Sequence, residues 1–156
     1  MTTKDITSVL AETISGVLEV QAFMVAEVCE PAEVEEPVDA CLSTSISFNG
    51  PISGTLGLIF SGELCVELAA NVLGLEAEEI ESDDAADALK ELINVVCGQF
   101  LTSFYGSDTV FKLSIPQVEE TDLGIWQACR EDPDAVCLNV DYSPVLAYMS
   151  LGGSHS

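Results

Sequence analysis

One amphipathic segment, which we expect to form the longest helix, most constrains how this chain can fold. Its apolar residues recur at three- and four-residue intervals and share one helix face; they are Leu89, Leu92, Ile93, Val96 and Phe100. Asp87, Glu91 and Asn94 fall on the opposite face at about 3.6 residues per turn. The sequence therefore predicts a core-anchored helix that presents Glu91 and Asn94 together. A carboxylate and a carboxamide can bind a cation or hold a water molecule, but neither is a ready nucleophile.

Composition limits the class of protein and its partners. The 156 residues, 48% of them hydrophobic, predict one domain over residues 1–151, followed by a flexible tail over 152–156. The 27 acidic residues face only four basic ones, for a net charge of −23. This balance argues against nucleic acid, whose phosphates require Lys and Arg, and against anionic membranes. A basic or mixed-charge protein surface would be attracted, and the association would weaken with salt.

The lack of recognisable targeting signals and the pattern of cysteines predict an intracellular protein. No apolar run has the length of a membrane-spanning helix, and residues 1–5 lack the hydrophobic stretch of a signal peptide, so we expect a cytoplasmic protein without membrane insertion. The six cysteines form no CxxC pair, and the one histidine is His155. We therefore expect no zinc site, and reduced thiols that are mostly buried.

The remaining pattern mixes helices with hairpin-connected strands and predicts an α+β fold, with helices packed on a mainly antiparallel sheet. Besides the long helix, capped by Asp83 or Asp84 and ending near Tyr105, we expect helices over 5–20 and 61–74. The expected strands are 23–28, 38–49, 52–60, 110–118, 125–129, 135–141 and 144–151. Trp126, Tyr142 and Tyr148 fall in or beside these strands, and we expect them to pack in the core or at a dimer edge.

The order and spacing of Asp87, Glu91, Asn94 and Pro116 resembles a signature of the CheC/CheX/FliY chemotaxis phosphatases. That signature is Asp/Ser-x3-Glu-x2-Asn, with proline about 22 positions later, and Pro116 stands 22 positions after Asn94. A glycine-bearing strand over 54–60 and the helix after it are also similar to this family. The resemblance covers most of the chain and thins out after Pro116. We expect Pro116 to be structural and its strand to be an edge strand or locally broken.

The resemblance implies an enzyme, a protein aspartyl-phosphate phosphatase that acts on a phosphorylated CheY-like response regulator. It assigns the placement of the attacking water to Asn94 and the pairing with a lysine of the regulator to Glu91. Mg²⁺ would belong to the regulator's site, and no cofactor is expected on this chain. We expect Asp87, Lys90 and Gly98 to contribute to partner binding. Gly98 weakens a helix interior unless another backbone or a partner approaches closely.

A fainter copy of the signature lies near the N-terminus. Ser8, Glu12, Ser15 and Pro37 each precede the corresponding signature residue by 79 positions. The copy raises the hypothesis of two half-domains related by a pseudo-twofold axis. Ser15 has no carboxamide to orient water, so we expect the copy to be inactive and Glu12 to be solvated. A single intact motif is more similar to CheX than to CheC, and that comparison implies a homodimer joined at its sheet edges.

Three alternatives stay open at this point. In the first alternative, the chain is a non-catalytic adaptor that binds and sequesters a phosphorylated regulator; the presence of Asn94 favours hydrolysis over this alternative. In the second, the acidic segment 76–84 binds a divalent cation; this segment lacks the ordered ligand pattern of a calcium loop, which favours a solvated loop instead. Lastly, Glu91 and Asn94 are only the solvent-facing side of an amphipathic helix.

Overall fold

One antiparallel sheet of seven strands organises the protein, in a computed structural model that describes residues 3–30, 41–121, 123–132, 135–141 and 143–151. The strands are β1 (Ala26–Val28), β2 (Cys41–Asn49), β3 (Gly54–Ser61), β4 (Lys112–Leu113), β5 (Gln117–Thr121), β6 (Val136–Val140) and β7 (Ser143–Leu151). The helices are α1 (Thr3–Ala22), α2 (Gly62–Leu73), α3 (Ser82–Tyr105) and α4 (Leu123–Glu131), with a 3-10 turn at Ala77–Glu79. The predicted α+β fold with an antiparallel sheet is confirmed.

The strand order is the same from both ends of the sheet. The strands follow the order β1-β6-β7-β3-β2, and β2 also pairs with β4 and β5. The hairpins β2–β3 and β6–β7 meet through the β3–β7 pair at the centre of the sheet. On either side of this pair the strands follow in an equivalent order, since β2 and β5 flank β3 as β6 and β1 flank β7. This symmetry is compatible with the predicted internal repeat. The repeat itself stays a prediction, and Pro37 lies outside the described residues.

The main core lies between one face of the sheet and the helices α1, α2 and α3. Side chains alternate between the two faces of a strand, so every second residue of the central strands enters this core. Leu56, Leu58 and Phe60 of β3 and Val145 and Ala147 of β7 are completely buried there. The two central strands therefore supply the floor on which the three helices pack.

A second, smaller core covers the opposite face of the sheet beneath α4. Ile59 of β3 and Leu146 of β7 alternate with the residues of the main core and pack here against Trp126, which is fully buried. Cys41 and Cys137 complete the buried part of this cluster. Both faces of the sheet are thus covered near its middle.

The expectation of a strand over 125–129 is wrong, because this segment lies in the helix α4. Trp126 and Cys129, three residues apart, enter the same cluster, which a helix permits and a strand does not. Ile125 is 55% exposed. A short apolar run fits either period, so the sequence alone does not separate the two. The core position of Trp126 is confirmed, although it comes from a helix.

Local signals placed the ends of the other helices well. Ser61 caps α2 by accepting a hydrogen bond from the Leu64 N–H (3.1 Å), and Gly74 closes the helix with φ 70°. The cap of α3 is Glu81, two residues before Asp83 and three before Asp84, so the expected cap position is wrong. Asp84 instead completes a capping box by accepting from the Glu81 N–H (3.0 Å).

The remaining sequence expectations fall partly on described residues and partly outside them. The connector 31–37, Tyr142 and the tail 152–156 lie outside the described residues. Tyr148 lies in β7 as predicted, with its ring against Gly57 of β3. No described helix is both long and apolar enough to cross a bilayer. All six cysteines are described, and none forms a disulfide; Cys29 and Cys129 are half-buried and the others are buried.

Two glycines provide a matched test of this packing. A methyl group at Gly54 would meet the Ser150 carbonyl oxygen on β7, whereas one at Gly16 of α1 meets nothing within 4 Å. Gly54→Ala should lower the free energy of unfolding by about 1–3 kcal/mol through overpacking. Gly16→Ala should raise it by about 0.5–1 kcal/mol through helix propensity. Urea denaturation measures both, and equal effects at the two positions would contradict the β3–β7 register.

Candidate functional site

The helix α3 is held firmly along its length and at both ends. Its first turn contains Asp83 and Asp84, which suit the positive end of the helix dipole, and the capping box closes it. Its last turn packs into an aromatic cluster, where the rings of Tyr105 and Phe111 lie 5.5 Å apart and those of Phe48 and Phe111 5.8 Å apart. The buried stripe between the ends comprises Ala85, Ala88, Leu89, Leu92, Ile93, Val96, Cys97, Phe100 and Leu101. Packing therefore fixes the rotation of α3 about its axis, and with it the face that points to solvent.

The outer face of α3 presents the predicted acid and amide to solvent. Asp87, Glu91 and Asn94 are all exposed, and Lys90 beside them is half-buried. Within the part of the chain that the structure describes, the side chains of Glu91 and Asn94 have no hydrogen-bond or ion-pair partner. The helix thus brings these side chains together as predicted and leaves their polar atoms free for another molecule.

Gly98 extends this face by one turn towards the end of α3. It is half-buried, yet a methyl group placed on it would meet nothing within 4 Å. No close approach by another described part of the chain accounts for a glycine in this helix interior, where alanine is favoured by about 0.5–1 kcal/mol. The outer face of α3 is consequently low and flat just beyond Asn94.

Pro116 lies at a break in the strand that borders α3. Ser45 to Phe48 on β2 is three steps, but their partners Gln117 and Leu113 are four steps apart, so one extra residue is accommodated between β4 and β5. Ser114 restores the pairing, since its N–H donates to the Ser47 carbonyl (2.8 Å) and its hydroxyl accepts from the Ser47 N–H (2.9 Å). The predicted break is confirmed, and it suits a residue that has no N–H.

The structure also shows exposed apolar residues near this break that the sequence analysis did not identify. Val110 is 80% exposed and Ile115 is 79% exposed, although both were expected within one alternating strand. The only sequence signal was the proline itself, because a broken strand no longer forces alternate residues inward. Both flank the short strand β4 beyond the end of α3.

The fainter copy of the signature lies on α1, which packs against α3. Ser8 and Glu12 are exposed and Ser15 is half-buried. Ser8 and Glu12 line an open pocket together with Cys29 and Glu30, which follow β1, and with residues of β6. This surface has no carboxamide in the position that Asn94 takes on α3, so the two faces are not chemically equivalent.

Nucleophilic chemistry is disfavoured for three of the cysteines, Cys97, Cys129 and Cys137. Burial raises the pKa of Cys97 to about 12. Burial, followed by the charges of Asp132 and Cys137, raises the pKa of Cys129 to about 11, and burial likewise raises the pKa of Cys137 to about 11. All three are protonated near neutral pH, and the thiolate is the reactive form. Among the described residues, no group of His, Cys, Asp or Glu is arranged to hold a metal ion.

The family described as "Chemotaxis phosphatase CheX" matches residues 42–138, which is more than half of the chain. No curated protein matches at the level of sequence. Among solved structures, the chain resembles the chemotaxis protein CheX from Vibrio vulnificus, with a TM-score of 0.71, 16% identity, and coverage of 97% of this chain and 99% of the other. It also resembles the CheX–CheY–BeF3–Mg²⁺ complex from Borrelia burgdorferi (TM-score 0.61, 13% identity, 92% and 96% covered) and Thermotoga maritima FliY (0.58, 15%, 94% and 85%). At these identities the structural likeness shows the fold.

The exposure of Asn94 has a consequence for stability. Asn94→Ala removes no contact within the described chain and improves helix propensity, so the free energy of unfolding should stay equal or rise by less than about 0.7 kcal/mol. Urea denaturation followed by circular dichroism tests this. A loss above about 1 kcal/mol would show that Asn94 has a structural role.

Proposed function

The chain belongs to the chemotaxis phosphatase CheX family, and we propose that it hydrolyses the aspartyl phosphate of a CheY-like response regulator. The observation that carries the proposal is the free carboxylate and carboxamide of Glu91 and Asn94 on the outer face of a rigid helix. The regulator partner is supported by the complex of the Borrelia CheX with CheY. Action on such a regulator would place the chain in the cytoplasm, and we propose that it works there as a homodimer.

In this proposal, Asn94 enters the regulator's site and orients a water molecule in line with the phosphorus. Phosphoryl transfer passes through a loose transition state and needs positioning more than covalent help from the protein. A carboxamide can accept a hydrogen bond from the water while its NH₂ group donates elsewhere, and it does not titrate. Holding the water removes an entropic barrier that can be worth several kcal/mol. The Mg²⁺ belongs to the regulator and is not part of this chain.

Glu91 holds α3 in register by pairing with a lysine of the regulator. A charge-assisted hydrogen bond of this kind is shorter and stronger than a neutral one. Asp87 and Lys90 flank the contact on the same helix, and the low surface at Gly98 leaves room for the regulator's backbone. The chain's net charge of −23 is consistent with a positively charged contact on the partner.

The first experiment measures phosphate release from a panel of response regulators incubated with acetyl phosphate and Mg²⁺. The wild-type chain should accelerate release from one or a few regulators, and Asn94→Ala should reduce that acceleration about a hundredfold or more, because the water is no longer placed. Gln99→Ala changes another exposed amide of α3 and should behave as wild type. Equal acceleration by Asn94→Ala would refute the proposed mechanism. Binding without any acceleration would favour the adaptor alternative.

The second experiment measures affinity for the regulator identified by the first, in the Asn94→Ala background so that the phosphoryl group survives. Glu91→Lys should weaken binding at least about tenfold, since two like charges then face each other. Glu12→Lys changes the net charge equally at the exposed copy on α1 and should have little effect. Equal losses for the two variants at low salt would show that only overall charge matters, against the proposed ion pair.

A further inference from the structure

Six large apolar side chains are exposed where the ends of α1 and α2 meet, and we call them the α1–α2 end surface. They are Val20 (76% exposed), Phe23 (79%), Val25 (64%), Val72 (44%), Leu73 (50%) and Leu75 (41%). The two helix ends are joined by a hydrogen bond from the Asn71 side-chain amide to the Ala22 carbonyl (2.8 Å). Clustered exposed apolar residues on a soluble protein mark an interaction site more often than isolated ones do.

Phe23 sits in this surface in a conformation that folding alone does not favour. It follows the last residue of α1 with φ 57°, in the left-handed region where glycine is usual and bulky residues are rare. The next residue, Met24, is fully buried and its N–H donates to the Leu18 carbonyl (3.1 Å), which fixes this turn. A bulky aromatic residue thus occupies a strained helix-terminal position while its ring is exposed to solvent. Strain of this kind clusters at binding sites.

The chain segments that form this surface carry acidic residues and no basic ones. No Lys or Arg occurs between Asp5 and Leu89, so α1 beyond its first turn, β1 and α2 offer no positive charge. Neither α1 nor α2 has a basic residue in its last turn, which leaves the negative end of each helix dipole without a cation.

An acidic group adjoins the surface on the side of Val25. The Asp141 N–H donates to the Val25 carbonyl (3.4 Å). Burial, followed by the charges of Asp141 and Glu63, raises the pKa of Glu67, which shows that these carboxylates lie near one another. Glu19 and Glu76 stand next to Val20 and Leu75 in the chain.

We propose that the α1–α2 end surface binds a cationic amphipathic helix of a partner protein, with apolar side chains over Phe23 and flanking Lys and Arg against the acidic rim. The proposed homodimer joins sheet edges, whereas a second copy docked on this surface would bring acidic residues against its acidic rim, and an anionic membrane would be repelled. The carbonyls of Leu18, Ala22 and Ala70 already accept hydrogen bonds, so the surface offers side chains more than main chain. That favours a helix over an added strand. The surface lies on the C-terminal ends of α1 and α2 and on the residues that follow them, whereas the proposed phosphatase face lies on α3.

The test uses a fluorescent 18-residue Leu/Lys peptide, with leucines at helical i, i+3, i+4 and i+7 spacing, and a scrambled peptide of the same composition. The amphipathic peptide should bind at physiological salt, and the scrambled one at least about tenfold more weakly, because only an apolar stripe can cover the ring. Phe23→Gly should weaken binding by about tenfold or more without changing the net charge. Ile125→Ser removes an exposed apolar residue of α4 and should bind as wild type.

Two further readouts make the outcome decisive. Phe23→Gly should melt no lower than wild type, since glycine suits the left-handed position, so its loss of binding is not a loss of fold. Amide shifts in an NMR titration should concentrate at residues 20–25 and 72–75. Equal binding of the two peptides, wild-type affinity of Phe23→Gly, or shifts confined to the acidic segment 76–84 would overturn the proposal. So would Phe23-dependent binding to phosphatidylglycerol vesicles, which would point to a membrane instead.

Discussion

The burial of the apolar stripe of α3 against the sheet is the contact on which the rest of the structure depends. Its most deeply buried members are Leu89, Ile93, Val96, Cys97 and Phe100. A close-packed interior leaves such a helix one rotation about its axis, and the outer face follows from the inner one. Glu91 and Asn94 are thereby held in position although their side chains make no hydrogen bond to any described residue. Packing supplies their orientation, and their polar atoms remain available to a partner.

The sequence predicted α3 and its outer face because the apolar period is sustained over several turns and acidic residues mark the start. It failed at α4, where five residues fit both a strand and a helix. The choice between helix and strand depends there on packing in the second core, whose members Ile59 and Leu146 are far from Trp126 in sequence. The sequence did not predict the α1–α2 end surface for a related reason, since the exposure of Phe23 depends on how two helix ends that are distant in sequence meet. Local patterns specify elements, whereas long-range contacts specify surfaces.

The molecule presents two surfaces whose physics differs. The face of α3 is polar and suited to placing a water molecule and an ion pair, whereas the α1–α2 end surface is apolar with an acidic surround. The sequence motif alone does not explain the high negative net charge, whereas the distribution of the charges explains part of it. With only four basic residues, none of them between Asp5 and Leu89, selective attraction of cationic partners extends over much of the molecule. Side-chain chemistry then decides which surface a given partner uses.

The second core under α4 gives the protein a built-in optical reporter. Trp126 lies on α4 and is the only tryptophan of the chain. Its side chain is completely buried between α4 and the sheet, whereas the helices α1, α2 and α3 pack on the other face of the sheet. Its fluorescence therefore reports on the detachment of α4 alone, while far-ultraviolet circular dichroism is dominated by the three longer helices. Coincidence of the two unfolding transitions would mean that the sheet couples its faces into one cooperative unit. Separate transitions would identify α4 as a lid that opens before the fold is lost.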